Sequence, residues 1–309
     1  MSTTSSSLPV DATARVVAPG DRALVLGGGG AAGNAWLIGV LAGLSDGGLD
    51  VTTADLTVGT SAGATTAAQL GGATPAALFA ATVVAPPTAR PAPAGAGRDP
   101  VRAAAEGMAR TQAIIDAASD VADMRRRMGA AALDLEATSD GSWPARWRGV
   151  VGGRLPSPEW PERTVALTAV DARTGEPVVF DRRSGVELVD AVAASCSSGQ
   201  PYAIGDSRYI DGGYRRNENA DLAAGHARVL VLSPFGGRSR HPHAWGSDLA
   251  TQVAELRAGG SVVETVFPDA AAEHLFGANA VDLAARPTAA RAGRDQGLAL
   301  AGRLNAFWA

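Results

Sequence analysis

Gly59-Thr60-Ser61-Ala62-Gly63 is a G-x-S-x-G pentapeptide. A serine hydroxyl is presented for attack when its backbone is bent sharply between a strand and a helix. A side chain on either flanking residue would collide in that bend, which is why both neighbours are glycine. The surroundings fit: Leu56-Thr57-Val58 predicts a short buried strand, and the Ala/Thr-rich stretch reaching Leu70 predicts a helix. Ser61 is therefore the candidate nucleophile, and an ordinary Gly/Ser turn with a solvated hydroxyl is the alternative.

A second glycine cluster, Gly27 to Gly30 followed by Gly33, comes after the apolar run Leu24-Val25-Leu26. Glycines between a strand and a helix let backbone N–H groups turn toward a negative oxygen at the helix N-terminus. The spacing Gly28-x-Gly30-x-x-Gly33 is also that of a dinucleotide-binding turn. Asp46, Asp50 or Asp55 lies near the distance at which such a fold places its ribose-binding acid. An NAD- or FAD-binding oxidoreductase thus competes with an oxyanion-binding loop on this segment alone, and the G-x-S-x-G bend favours the latter.

A serine nucleophile needs a base within hydrogen-bond reach. The histidines His226, His241, His243 and His274 all follow Ser61, so a Ser-Asp-His order is arithmetically open. None occupies a strand-end turn: His226 falls at a helix end, His241 and His243 flank Pro242 in a polar loop, and His274 falls on a helix. Surface or packing roles are the default for each. Asp211-Gly212-Gly213 follows Tyr209-Ile210 and precedes the polar run Arg215-Arg216-Asn217-Glu218-Asn219. In isolation such a pair is a turn.

The elements needed to position these segments are legible in outline. The chain has 309 residues, 46% hydrophobic and 19% charged, enough apolar side chain for a large core. The net charge of −4 gives no electrostatic case for a nucleic-acid partner. All 27 basic residues are arginine, and the one cysteine, Cys196, excludes an internal disulfide. Residues 1–20 read as a frayed leader without signal-peptide character, ahead of a single domain spanning 21–309. Residues 56–89 carry no charge, but glycines and prolines interrupt every window long enough to span a bilayer.

After the strand at Leu24–Leu26, Trp36, Val40 and Leu44 predict a helix, and 102–135 predicts one or two amphipathic helices. Val165–Val170 and Pro177–Phe180 predict a hairpin around Thr174-Gly175. A helix at 186–194, strands at 208–210, 229–232 and 262–267, and a helix at 293–308 follow. Irregular insertions are expected at about 85–100 and 139–161. Strands alternating with helices imply an α/β fold: a mostly parallel central sheet with helices on both faces, in three layers.

Taken together, the glycine loop after the first strand, GTSAG, and a distal DGG resemble the patatin-like phospholipase family. The run AASCSSGQP ahead of the DGG is similar to that family's segment before its aspartate, and the likeness extends from Arg22 to Leu232. The resemblance implies a Ser-Asp dyad without histidine, with Ser61 as nucleophile and Asp211 as its general base. Amides of Gly28, Gly29 and Gly30 would form the oxyanion hole, with Gly33, Gly59, Gly63, Gly212 and Gly213 in support. It implies hydrolysis of a phospholipid or other acyl ester through an acyl-enzyme, with no metal or cofactor. The partners implied are a lipid or acyl-ester substrate and a peripheral membrane surface, the location cytoplasmic. Ala32 departs from the pattern, since the family commonly carries a cation there; a silent, lipid-binding member is the reading this departure favours. Arg215 or Arg216 could substitute, although solvent-facing charge is the simpler role for both.

An ordinary carboxylate is a poor base for a serine hydroxyl, so Asp211 requires burial to raise its basicity or an oxyanion hole that carries most of the catalysis. Four other features have plain structural readings. Cys196 packs among small residues. Asn219 either braces the loop after Asp211 or caps a helix at Ala220. Trp143, Trp147 and Trp160 pack the second insertion or form a lipid-facing patch. Arg125-Arg126-Arg127 is a solvated helix face.

Overall fold

Leu24 and Leu26 point to one face of the first strand, and Ala23 and Val25 to the other. Each pair is fully buried, in separate apolar clusters. This alternation requires cover on both sides. The computed structural model describes residues 20–84, 100–277 and 280–309, so the leader up to residue 19 and the insertion expected at 85–99 lie outside the described residues.

The elements in chain order are β1 (Arg22–Leu26), α1 (Gly30–Asp46), β2 (Leu56–Gly59), α2 (Ala62–Leu70), α3 (Pro75–Val83), α4 (Pro100–Ala117), α5 (Val121–Ala137) and α6 (Trp143–Gly152). There follow β3 (Thr164–Asp171), β4 (Pro177–Phe180), α7 (Leu188–Ser195), β5 (Tyr202–Ile204), β6 (Ser207–Asp211), β7 (Arg228–Leu232), α8 (Leu249–Ala258), β8 (Val262–Val266) and α9 (Arg286–Trp308). The strands form one sheet in the order β5-β6-β3-β2-β1-β7-β8, with β4 paired to β3. From β3 through β8 the pairing is parallel, whereas β4, β5 and β6 run antiparallel to their neighbours. The fold is thus a mixed, mostly parallel sheet with helices around it, as the strand–helix alternation implies.

On the Leu24/Leu26 face the core is built from α1, α2, α7 and α9; on the opposite face it is built from α8 and a 3-10 turn at Ala220–Ala223. Helices α1 and α9 approach so closely that a Cβ on Gly39 or Gly43 would overlap the carbonyls of Ala290 or Arg294. Helices α4 and α5 contribute a third, smaller cluster against Val170 and Ile210 at the antiparallel end.

The structure differs from the sequence reading in four places. Helices α3 and α8 and strand β5 were not foreseen, because each is short and weakly periodic. The second irregular insertion contains α6 in its middle. There Trp143 and Trp147 stack on each other, and the Trp147 and Trp160 indoles donate to the Ala193 and Val186 carbonyls. The tryptophans therefore pack the insertion onto the core. Helix α9 starts well before residue 293. Arg125 is not solvated like its neighbours; its Nε donates to the Gly175 carbonyl at 2.6 Å.

Candidate active site

Strand register brings the candidate dyad together. β3 lies between β2 and β6; Gly59 of β2 is level with Leu167, and Asp211 of β6 is level with Ala169. The ends of two strands with opposite directions thus meet across Thr168. Ser61 follows the end of β2 with φ 53° and ψ −110°, a conformation rarely adopted by a residue with a side chain. The turn is tight enough that a Cβ on Gly63 would overlap the Leu26 carbonyl, and one on Gly59 would stand 2.8 Å from the Gly63 oxygen.

The Ser61 side chain faces the Asp211 carboxylate closely enough to favour its ionised form. Asp211 is only 8% exposed, and its Oδ1 accepts the Gly213 amide at 2.8 Å. Burial raises the Asp211 pKa from its ordinary value to about 6, against the opposing hydrogen bonds from Gly213 and Ser61. Among the described residues no cation compensates it. Gly212 is obligatory here, since a Cβ would overlap Thr168.

Main-chain donors lie at the start of two helices. Among the described residues, the amides of Gly29, Gly30 and Ala31 find no acceptor, nor does that of Ala62, the first residue of α2. Helix N-termini leave such N–H groups free, and the helix dipole makes them attractive to a negative oxygen. The Gly28 amide, expected among the donors, is not available: it donates to the Asn217 carbonyl at 3.0 Å, and Asn217 Nδ2 returns a 3.3 Å bond to the Gly28 oxygen. Gly28 anchors the loop because the chain must be held before it turns. Gly33 passes close to Ala62, so the two helix starts adjoin.

Supporting groups come both from positions the sequence reading named, Cys196 and Asn219, and from ones it did not single out, Ser195, Ser197, Thr168 and Glu218. The Ser195 hydroxyl accepts the Ser61 amide at 2.9 Å, and the Cys196 thiol donates to the Ser61 carbonyl at 3.2 Å. The Asp211 amide donates to the Ser197 carbonyl at 2.9 Å, so residues 195–197 hold both members of the pair. Burial, helped by the Asp211 charge, pushes the Cys196 thiol up to about 12, which keeps it a neutral packing group. Asn219 braces rather than caps: its Nδ2 lies 3.0 Å from Thr60 Oγ1, 3.2 Å from Thr168 Oγ1 and 3.2 Å from the Gly212 carbonyl. Glu218 is buried beneath Gly27, accepting from Ser233 and Asn217, and burial raises its pKa. A lone Thr in an apolar strand and a polar run after DGG were the available signals for Thr168 and Glu218.

The remaining expectations resolve as follows. Arg215 pairs with Asp221, and Arg216 with Asp221 and Glu255, so neither is a free cation. His226 is buried against the Ala223 carbonyl, and His243 bonds Asp248; among the described residues no histidine contacts Ser61 or Asp211. Each of the three acids offered as the ribose-binding residue of the dinucleotide reading is otherwise engaged. Asp46 pairs with Arg294, Asp50 caps a 3-10 turn, and Asp55 accepts the amides of Asp21 and Arg22.

No described helix is long and apolar enough to cross a membrane. The chain has no significant match among curated proteins. Among solved structures it is similar to the crystal structure of VipD from Legionella pneumophila, with 13% identity, a TM-score of 0.42, and coverage of 92% of this chain and 67% of that one. Residues 24–224 match the family described as Patatin-like phospholipase, a span that holds the glycine loop, the Ser61 turn and the DGG segment, and the chain therefore belongs to this family of lipid acyl hydrolases.

Proposed function

We propose that the protein is a serine acyl hydrolase acting on a phospholipid or related acyl ester through a Ser61–Asp211 dyad. The observation that carries this reading is a strained Ser61 facing a buried Asp211 whose carboxylate has no cation against it among the described residues. Ser61 Oγ bonds to the ester carbonyl carbon as its proton passes to Asp211. The negative charge that develops on the carbonyl oxygen is held by the free amides of Gly29, Gly30 and Ala62, each such donor being worth ~3 kcal/mol. When the tetrahedral species collapses, the C–O bond breaks and the departing alcohol takes the proton from Asp211. Water then attacks the acyl-enzyme and gives a proton to Asp211; as the second tetrahedral species collapses, the bond to Ser61 Oγ breaks, Asp211 returns the proton to that oxygen, and the fatty acid leaves. A pKa near 6 suits these transfers: the carboxylate is ionised at neutral pH yet more basic than an exposed aspartate.

The test is labelling by a fluorophosphonate and hydrolysis of a panel of p-nitrophenyl esters and phospholipids, using the wild type, Ser61→Ala and Asp211→Asn. Loss of labelling in Ser61→Ala and loss of hydrolysis in both variants is expected. Wild-type protein that is neither labelled nor active is a silent family member, and full activity in either variant removes the dyad.

A further inference from the structure

Arg286, against the start of α1, and Arg154, against α2, form no ion pair among the described residues. Arg286, at the start of α9, is half-buried. One end of its guanidinium donates to the Ala31 carbonyl at 3.1 Å and to Asn34 Oδ1 at 2.9 Å. The only charge described near it is the like charge of Arg154, which together with burial lowers its pKa. Arg154 follows α6, is exposed, and stacks over the Trp147 ring at 5.3 Å. Its charge also reaches the Cys196 thiol, which contacts the Ser61 carbonyl. By contrast, Arg148, Arg215, Arg216 and Arg294 all have carboxylate partners.

One network ties the Arg286 guanidinium to the main chain of Arg154. Asn34, which accepts from Arg286, donates to Gln69 Oε1 at 3.0 Å, and Gln69 Nε2 donates to the Arg154 carbonyl at 3.1 Å. A half-buried guanidinium whose described charged neighbour is another cation is unfavourable unless an anion joins it. A guanidinium carries five N–H donors, and among the described residues Arg286 uses only its Nη1. The free Nη2 and Nε match two oxygens of a phosphate. The unpaired amides of Gly30 and Ala31 at the same helix start add to the attraction.

We propose that Arg286 and Arg154 form an anion subsite beside the Ser61 turn that binds the phosphate of the ester substrate. This rests on the acyl-hydrolase reading and goes further by assigning the residues that select an anionic head group. The substrate lies with its carbonyl at Ser61 and its phosphate toward α9, and a neutral ester of the same chain length gains nothing from the subsite.

The experiment compares kcat/KM for a monoacyl glycerol phosphate and a monoacylglycerol of equal chain length, both below their micelle concentrations. The selectivity ratio is expected to fall at least tenfold in Arg286→Met, severalfold in Arg154→Met, and less in Arg286→Lys. An unchanged ratio, or an equal loss on both esters as a purely structural role would give, overturns the subsite. Binding read without turnover separates this outcome from failure of the dyad. Calorimetry with glycerol 3-phosphate on Ser61→Ala is expected to show a Kd at least tenfold weaker when Arg286→Met is added, whether or not the wild type hydrolyses either ester. Equal Kd values overturn the proposal. Inorganic phosphate binding as tightly as glycerol 3-phosphate, with no head-group selectivity in turnover, assigns the site to a free anion and also overturns it.

Discussion

The Ser195 hydroxyl accepts the amide hydrogen of Ser61 at 2.9 Å, across 134 positions of sequence. With the Cys196 thiol on the Ser61 carbonyl, it holds both main-chain polar groups of the strained residue that is the candidate nucleophile. Such a conformation costs about 1–3 kcal/mol and persists only where its surroundings enforce it.

Replacing Ser195 by Ala leaves the Ser61 amide buried without an acceptor, at about 1–3 kcal/mol. The serine then relaxes from its bend. The expected outcome is a kcat about tenfold lower with little change in KM, and a slower acylation burst, measured by stopped-flow with a p-nitrophenyl ester. Cys196→Ala, which removes a weaker donor, has a smaller effect.

Because only ionised Asp211 accepts a proton, kcat/KM is expected to rise tenfold per pH unit below about 6 and to level off above it. A rate profile from pH 4 to 8 on a soluble ester checks this. A limb centred near 4, the value of an exposed aspartate, shows that burial does not control the base.

The same burial makes Asp211 a cost to stability. Its pKa rises on folding from 3.8 to about 6, so between these values the native state holds a proton that the unfolded chain has released. Stability therefore falls as pH rises through this window, by an amount on the order of 3 kcal/mol once both states are ionised. Asp211→Asn removes the charge but keeps an oxygen for the Gly213 amide. Urea denaturation is expected to show it more stable than the wild type by up to ~3 kcal/mol at pH 8, with little difference at pH 4.

Asn219 ties the loop after Asp211 to Thr60 and Thr168, and its Oδ1 accepts from Arg215 at 2.7 Å. Asn219→Ala strands several buried polar groups. A loss of about 2–4 kcal/mol in chemical denaturation is expected. A drop in kcat exceeding the change in KM is expected with it, since the loop carries Asp211. Unaltered stability in this variant contradicts the bracing role.

Local sequence determined the parts whose geometry is local. The glycines around Ser61 mark a bend that excludes side chains, Gly29 and Gly30 mark a helix start with bare amides, and the strand–helix alternation marks a parallel sheet. Asn219 was legible only as a polar group beside the turn, open between bracing the loop and capping a helix, and the structure decided for the brace. Contacts between distant segments were not legible. Register across β3 decided that the Asp211 strand end lies by the Ser61 turn, and the packing of α7 brought Ser195 and Cys196 against the bend. Tertiary structure also withdrew Gly28 from the donors by giving its amide to Asn217, and set Arg286 beside a glycine loop 255 residues away from it in sequence. The physical reason is that residue spacing records turns and periodicity within one element. Whether a hydroxyl, amide or guanidinium is satisfied depends on what the sheet order and helix packing place opposite it.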